Sequence, residues 1–151
     1  MDLCQPGAVI VTEIDSSASP ATIHDLLVDV DAWSIWSPHV ASVECSERRV
    51  RSGWSGVTRA FFSPGATSMI VDEVRLDGGY TWHSTLGPWR LDYENAVVVA
   101  RGGSTLRFAA DLHGPAARVI ERLVAPLSAL GQRRRMVRLA RLAELVERHA
   151  D

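Results

Sequence analysis

From Pro38 to about His113 the chain alternates apolar and polar positions, the period of half-buried strands. Before and after that stretch apolar residues recur every three to four positions, the period of helices. Ala8–Ile14 is β-branched, is bounded by Pro6-Gly7 and Asp15-Ser16-Ser17, and predicts a first strand. Ser19-Pro20 then offers a hydroxyl to cap free N–H groups and a proline where its missing donor costs nothing. Ile23, Leu26, Leu27 and Val30 follow as one stripe on a helix of about three turns. Asp31–Pro38 is too aromatic for a solvated loop and predicts a very short second helix or tight turn. Strands are expected at 40–50, 55–63, 67–77, 80–86, 88–101 and 103–113. They are separated by Arg51-Ser52-Gly53, Ser63-Pro64-Gly65, Asp77-Gly78-Gly79, Gly87-Pro88 and Gly102-Gly103. Connections this short join antiparallel neighbours, so a meander is expected.

In 89–99, Trp89, Leu91, Tyr93, Asn95, Val97 and Val99 share one face, while Arg90, Asp92 and Glu94 share the other. Strand 104–112 repeats the division, so one face of the sheet is wet and one is covered. The cover is residues 115–149, helical by pattern. Val119, Ile120, Leu123, Leu127 and Leu130 form one apolar stripe; Met136, Leu139, Leu142, Ala143 and Val146 form a second. Pro126 and Gly131 are expected to kink or divide this helix.

At 151 residues, 46% hydrophobic and 23% charged, the sequence has the size and composition of one globular domain, residues 1–151, able to hold a core without disulfides or metal. A net charge of −2 gives the chain as a whole no field to draw in nucleic acid or anionic membrane. All 16 basic residues are Arg, which removes Schiff-base chemistry and P-loop phosphate binding, since both need an amine. Cys4 and Cys45 are too few for a four-ligand Cys-rich zinc site, no structural disulfide is expected between them, and no cofactor is expected. The N-terminus lacks a signal-peptide pattern and no apolar run is long enough to cross a membrane, so a cytoplasmic protein with no transmembrane segment is expected.

Three segments carry a resemblance: Ile10–Ile14 running into Ser19-Pro20 and Leu26-Leu27, the Asp31–Pro38 turn with Trp33 and Trp36, and Gly103–Phe108 before an Arg-rich terminal helix. With them the chain, over residues 8 to 148, resembles the START/Bet v 1-like (SRPBCC) superfamily, and within it the polyketide cyclase/dehydrase-like branch. The resemblance implies an α+β helix-grip fold. In it a seven-stranded curved antiparallel sheet wraps around a long C-terminal helix, with two short helices after strand 1 and usually a hollow between sheet and helix. The superfamily includes lipid carriers, plant ligand-binding proteins, quinone-binding proteins and aromatase/cyclases, and fold alone does not choose among them.

Trp33, Trp36, Phe61, Val71, Trp82, Trp89, Tyr93, Phe108, Leu123 and Leu127 are the candidates for lining such a hollow; the competing reading of each is plain core packing. His24, His39, His83, His113 and His149 show no metal-ligand spacing. His39 is placed to line a pocket mouth, His83 to face away from Trp82, and His24 and His149 to be solvated. Gly53-Trp54-Ser55-Gly56 is one residue short of a nucleophile elbow and precedes a strand, so a hydrolase triad is rejected. Resemblance to aromatase/cyclases implies a cavity group, often Arg, set against ketone oxygens. Arg75 and Arg59 are the candidates, with Tyr93 as hydrogen-bond donor, and the competing reading turns both arginines outward. Residues 118–151 hold eight Arg against three Glu and one Asp, a local +4. A peripheral or acidic-protein contact through Arg133, Arg134 and Arg135 therefore stands beside a simply solvated helix face. The expected function is binding of a small hydrophobic or amphipathic ligand, lipid-like or polyketide-like, between sheet and C-terminal helix. The alternatives are a polyketide aromatase/cyclase and an interaction protein docking through its basic helix.

Overall fold

The computed structural model describes residues 10–61, 65–76 and 78–150. Cys4, Ala8, Val9, Phe62, Ser63, Pro64 and Asp77, to which the sequence assigns strand or turn positions or a thiol, lie outside the described residues. The order is β1 (Ile10–Ser16), α1 (Pro20–Val28), a 3₁₀ turn (Val30–Ala32), α2 (Trp33–Trp36), β2 (Val40–Cys45), β3 (Ser55–Ala60), β4 (Ala66–Val74), β5 (Gly79–Leu86), β6 (Trp89–Ala100), β7 (Gly103–His113) and α3 (Ala117–His149). The strands form one curved antiparallel sheet in the order β1-β7-β6-β5-β4-β3-β2, as the short separators require.

Ser19 caps α1, its Oγ accepting from the Thr22 N–H at 3.3 Å, and Pro20 opens the helix. The helix is shorter than the apolar stripe suggests. Val30 instead enters the 3₁₀ turn, whose first residues are held by the Asp29 carboxylate accepting from the Asp31 N–H at 3.0 Å. The strand expected at 40–50 ends at Cys45. The residues after it bond to the exit of α1 rather than to β3: Val30 N–H donates to Arg48 O at 3.1 Å, and Val50 N–H to Val28 O at 2.8 Å. The β4–β5 turn depends on its glycines. Gly79 has φ +90°, and a Cβ there would fall 1.8 Å from the Asn95 carbonyl oxygen.

α3 is a single helix of 33 residues, about 50 Å long, and it is not divided at Pro126 or Gly131. Pro126 is exposed, and the carbonyl it leaves without a partner belongs to Arg122, an exposed residue that can turn that oxygen to water. The core sits where α1 and the later part of α3 meet the sheet: Ile23, Leu27, Val71, Val97, Leu106, Phe108, Met136, Leu139 and Ala143 are fully buried. The second apolar stripe of α3 faces this core through Met136, Leu139 and Ala143, whereas Val146 is exposed. The first stripe is turned the other way: Val119 is 60% exposed, Leu123 76%, Leu127 75% and Leu130 45%. Toward the sheet that half presents Glu121, which is buried, and Ser128. The far end of α3 is pinned to α1. Glu147 accepts from Ser19 N–H at 2.7 Å and from Thr22 Oγ at 2.9 Å, and these bonds hold its carboxyl below the usual carboxylate range. Among the described residues no helix is long and apolar enough to cross a membrane.

Candidate ligand-binding site

Two adjoining hollows lie over the inward face of the sheet, the smaller against α2 and reached by α3 only at Arg135, the larger under the first half of α3. The smaller, about 110 Å3, is walled mainly by aromatics, Trp33 and Trp36 from α2 and Tyr80 and Trp82 from β5, together with Met69 from β4. The larger, about 480 Å3, runs under α3 between Leu91, Ala110 and Leu112 of the sheet and Glu121, Ser128 and Gln132 of the helix. His39, Tyr93 and Arg135 line both.

The strand register builds the aromatic wall. Trp82 and Tyr93 are direct partners in the β5–β6 pairing on the inward face, so their rings stack with centroids 4.9 Å apart. The Trp82 indole N–H donates to Asn95 Oδ1 at 2.8 Å, one inward position further along β6. Trp33 Nε1–H and Tyr80 O–H both donate to the Leu27 carbonyl near the end of α1, at 2.8 and 3.2 Å. Burial pushes the Tyr80 phenol up, so it remains a neutral donor. Trp36 meets Phe108 edge to face at 6.3 Å, and its buried indole N–H has no partner among the described residues.

Arg135 is the polar centre. Its Nη2–H donates to Tyr93 Oη at 2.7 Å, its Nε–H donates to Gly131 O at 3.4 Å, and its guanidinium carbon lies 5.8 Å from the Tyr93 ring centroid. No ion pair joins it to a carboxylate among the described residues. Tyr93 Oη therefore accepts from a cation and keeps its own proton to donate. His39 approaches Ser37 Oγ through Nδ1 at 3.2 Å; burial first, and the Arg135 charge second, hold its imidazole below the usual histidine pKa.

Of the residues expected at the site, the structure brings Trp33, Trp36, Trp82 and Tyr93 together. Val71 and Phe108 are buried in the core behind that wall. Trp89 bonds Pro115 O at 2.8 Å at the end of the sheet. Phe61 is 70% exposed, and Leu123 and Leu127 face out from α3. The two candidate arginines are not in the hollow. Arg59 lies 3.7 Å from Glu44 on the outer face, and inward β3 presents Thr58 instead. Arg75 pairs with Glu94 at 3.2 Å, a carboxylate also held by Arg107 at 2.6 Å. The shared face assigned to Met69, Val71 and Arg75 fails because the β4–β5 register shifts between Val71 and Glu73, which reverses the alternation beyond that point. Arg135, grouped by sequence with the surface arginines, turns inward, while Arg133 and Arg134 are exposed. His83 does point away from Trp82, meeting Asp72 at 2.8 Å. His24 is not simply solvated: its Nδ1 accepts from Gly79 N–H at 2.9 Å.

Arg135 and Asn95 were missed as site residues. The signal for Arg135 was its place on the helix, four residues before the core residue Leu139 and three after Gln132. Asn95 was already on the inward face of β6, next to Tyr93 in the alternation.

A curved seven-stranded antiparallel sheet closed over one long C-terminal helix, with two short helices after the first strand, is the Bet v 1-like helix-grip fold. No protein-family model matches the chain, and no curated protein does. Solved structures that share the fold include the hypothetical protein jhp0584 from Helicobacter pylori, with TM-score 0.76 and 11% identity over 89% of this chain and 87% of that one. Ara h 8.0201 matches with TM-score 0.65 and 15% identity over 89% of this chain and 96% of its own. DynU16, from the dynemicin biosynthetic locus, matches with TM-score 0.69 and 16% identity over 92% of this chain and 48% of its own.

Proposed function

We propose that the protein binds a small amphipathic molecule, its apolar body in the larger hollow and an oxygen-bearing head between Arg135 and Tyr93. The observation that carries this reading is the half-buried guanidinium at the junction of the two hollows with no carboxylate partner among the described residues. A desolvated cation is costly unless something accepts its hydrogen bonds, and Tyr93 and the Gly131 carbonyl accept only one each. A carboxylate, sulfonate or enolised carbonyl would accept the others while its apolar body covered Leu91, Ala110 and Leu112. The larger hollow is in the size range of small-molecule sites.

Native mass spectrometry of the purified protein against its denatured mass tests for a retained adduct. Anilinonaphthalene sulfonate, an aromatic body with an anionic head, tests the site directly. It is expected to bind with enhanced fluorescence, and Arg135→Gln is expected to weaken that binding roughly ten- to a hundred-fold, the worth of a hydrogen bond to a charged group. Binding that Arg135→Gln leaves unchanged would show the head elsewhere.

The same pair favours a second reading, cyclisation of a poly-β-ketone. A Tyr O–H beside a guanidinium is suited to hold a ketone oxygen as negative charge develops on it. This reading needs turnover. Under it Tyr93→Phe slows cyclisation while leaving the binding of a non-reacting ketone close to wild type; equal loss of both would leave a carrier alone.

A further inference from the structure

The outer face of α3 is built for a different partner. Val119, Leu123, Leu127 and Leu130 fall at i, i+4, i+8 and i+11 and form an exposed apolar stripe about 17 Å long. Leu86 and Phe61, 49% and 70% exposed, lie at the same end of the molecule. The antiparallel order brings the β3–β4 and β5–β6 turns and the start of α3 to that end of the sheet, where the larger hollow also sits. Charge completes the pattern. Between residues 117 and 143 the only carboxylate is Glu121, which is buried and accepts from the Leu112 N–H. Over the same span Arg118, Arg122, Arg133, Arg134, Arg138 and Arg141 are exposed. Arg133 and Arg141 border a shallow groove with Glu13, Asp15 and Glu144, which leaves Arg134 and Arg138 to continue the line of the apolar stripe toward the C-terminus.

From this arrangement we infer that the first half of α3 docks on an anionic lipid surface, Val119, Leu123 and Leu127 entering the acyl boundary and Arg122, Arg134 and Arg138 meeting headgroup phosphates. An apolar stripe continued by arginine is the pattern of a helix lying in a membrane interface. The charge also argues against a second copy of the chain, because a two-fold contact through this face would set arginines against arginines. The inference stands apart from the ligand: it rests on the outer side of α3, and the site on the inner side.

Co-sedimentation with phosphatidylcholine vesicles, with and without one third phosphatidylglycerol, tests it. Wild type is expected to partition onto the mixed vesicles, to release with added salt, and to ignore pure phosphatidylcholine. The double variant Leu123→Ser with Leu127→Ser is expected to lose at least ten-fold in partitioning. Arg134→Gln with Arg138→Gln is expected to lose more than ten-fold, at roughly five-fold per arginine. Both pairs are exposed, and unchanged circular dichroism would show that the fold is kept. Three results would each overturn the inference: no partition onto the anionic vesicles, equal partition onto neutral ones, or a wild-type dimer by sedimentation equilibrium that the leucine pair abolishes.

Discussion

The two halves of α3 are one continuous helix under opposite constraints. From Gln132 onward its inward face carries Met136, Leu139 and Ala143, all fully buried, and its end is tied to α1 by Glu147. Before Gln132 the inward face carries Glu121 and Ser128 over a hollow, and the leucines look outward. The later half packs against the core; the earlier half stands over the larger hollow. Apolar periodicity marks a stripe on a helix, but it does not say whether the stripe meets protein.

That contrast can be broken from either side. The largest effect is expected from Leu139→Ala in the packed half, a loss of about 2–5 kcal/mol in urea unfolding, because the closed core cannot fill the space. A value near zero would mean that this half too is loosely packed. Next is Glu121→Ala, which strips the Leu112 N–H of its acceptor at the wall of the hollow and is expected to cost about 1–3 kcal/mol by the same measurement. A smaller effect, confined to one pH range, belongs to His39. Its imidazole binds a proton less readily in the folded protein than the ordinary value of 6.5. Below that pH the unfolded chain takes up the proton first, so stability is full above pH 6.5 and declines as pH falls toward the lowered folded value. His39→Gln is expected to flatten this part of the urea-midpoint profile between about pH 8 and pH 5. The smallest change is expected for Leu127→Ala, within about 0.5 kcal/mol, since the side chain is already in water. A loss comparable to that of Leu139→Ala would contradict its exposure.

Most of the architecture was legible. The alternation along 89–99 and 104–112 gave the face and extent of β6 and β7 as far as Val97, whereas Val99, assigned to the covered face, is 80% exposed at the far end of the strand. The Ser19-Pro20 start of α1 was legible because capping is local chemistry. Arg75 was misplaced because a one-residue shift in β4–β5 leaves no mark in the alternation until its partner strand is known. Arg135 was hidden among its neighbours Arg133 and Arg134, since residue type alone places all three in solvent. Trp82 and Tyr93 line the smaller hollow, as large rings on a covered strand face do, whereas Phe61, past the end of β3, is in water.

The sheet register has a mechanical consequence. The β6–β7 ladder runs unbroken from Arg90↔His113 to Ala100↔Gly103, whereas the other flank is interrupted between Val71 and Glu73 and again between Val40 and Ser42. Tyr93 therefore stands on the stiff flank and Met69 and Val40 on the compliant one. The smaller hollow, walled by Val40, Thr58 and Met69, thus borders the interrupted flank, whereas the larger, walled by Leu91, Ala110 and Leu112, borders the unbroken one, so any give in the sheet falls at the aromatic end.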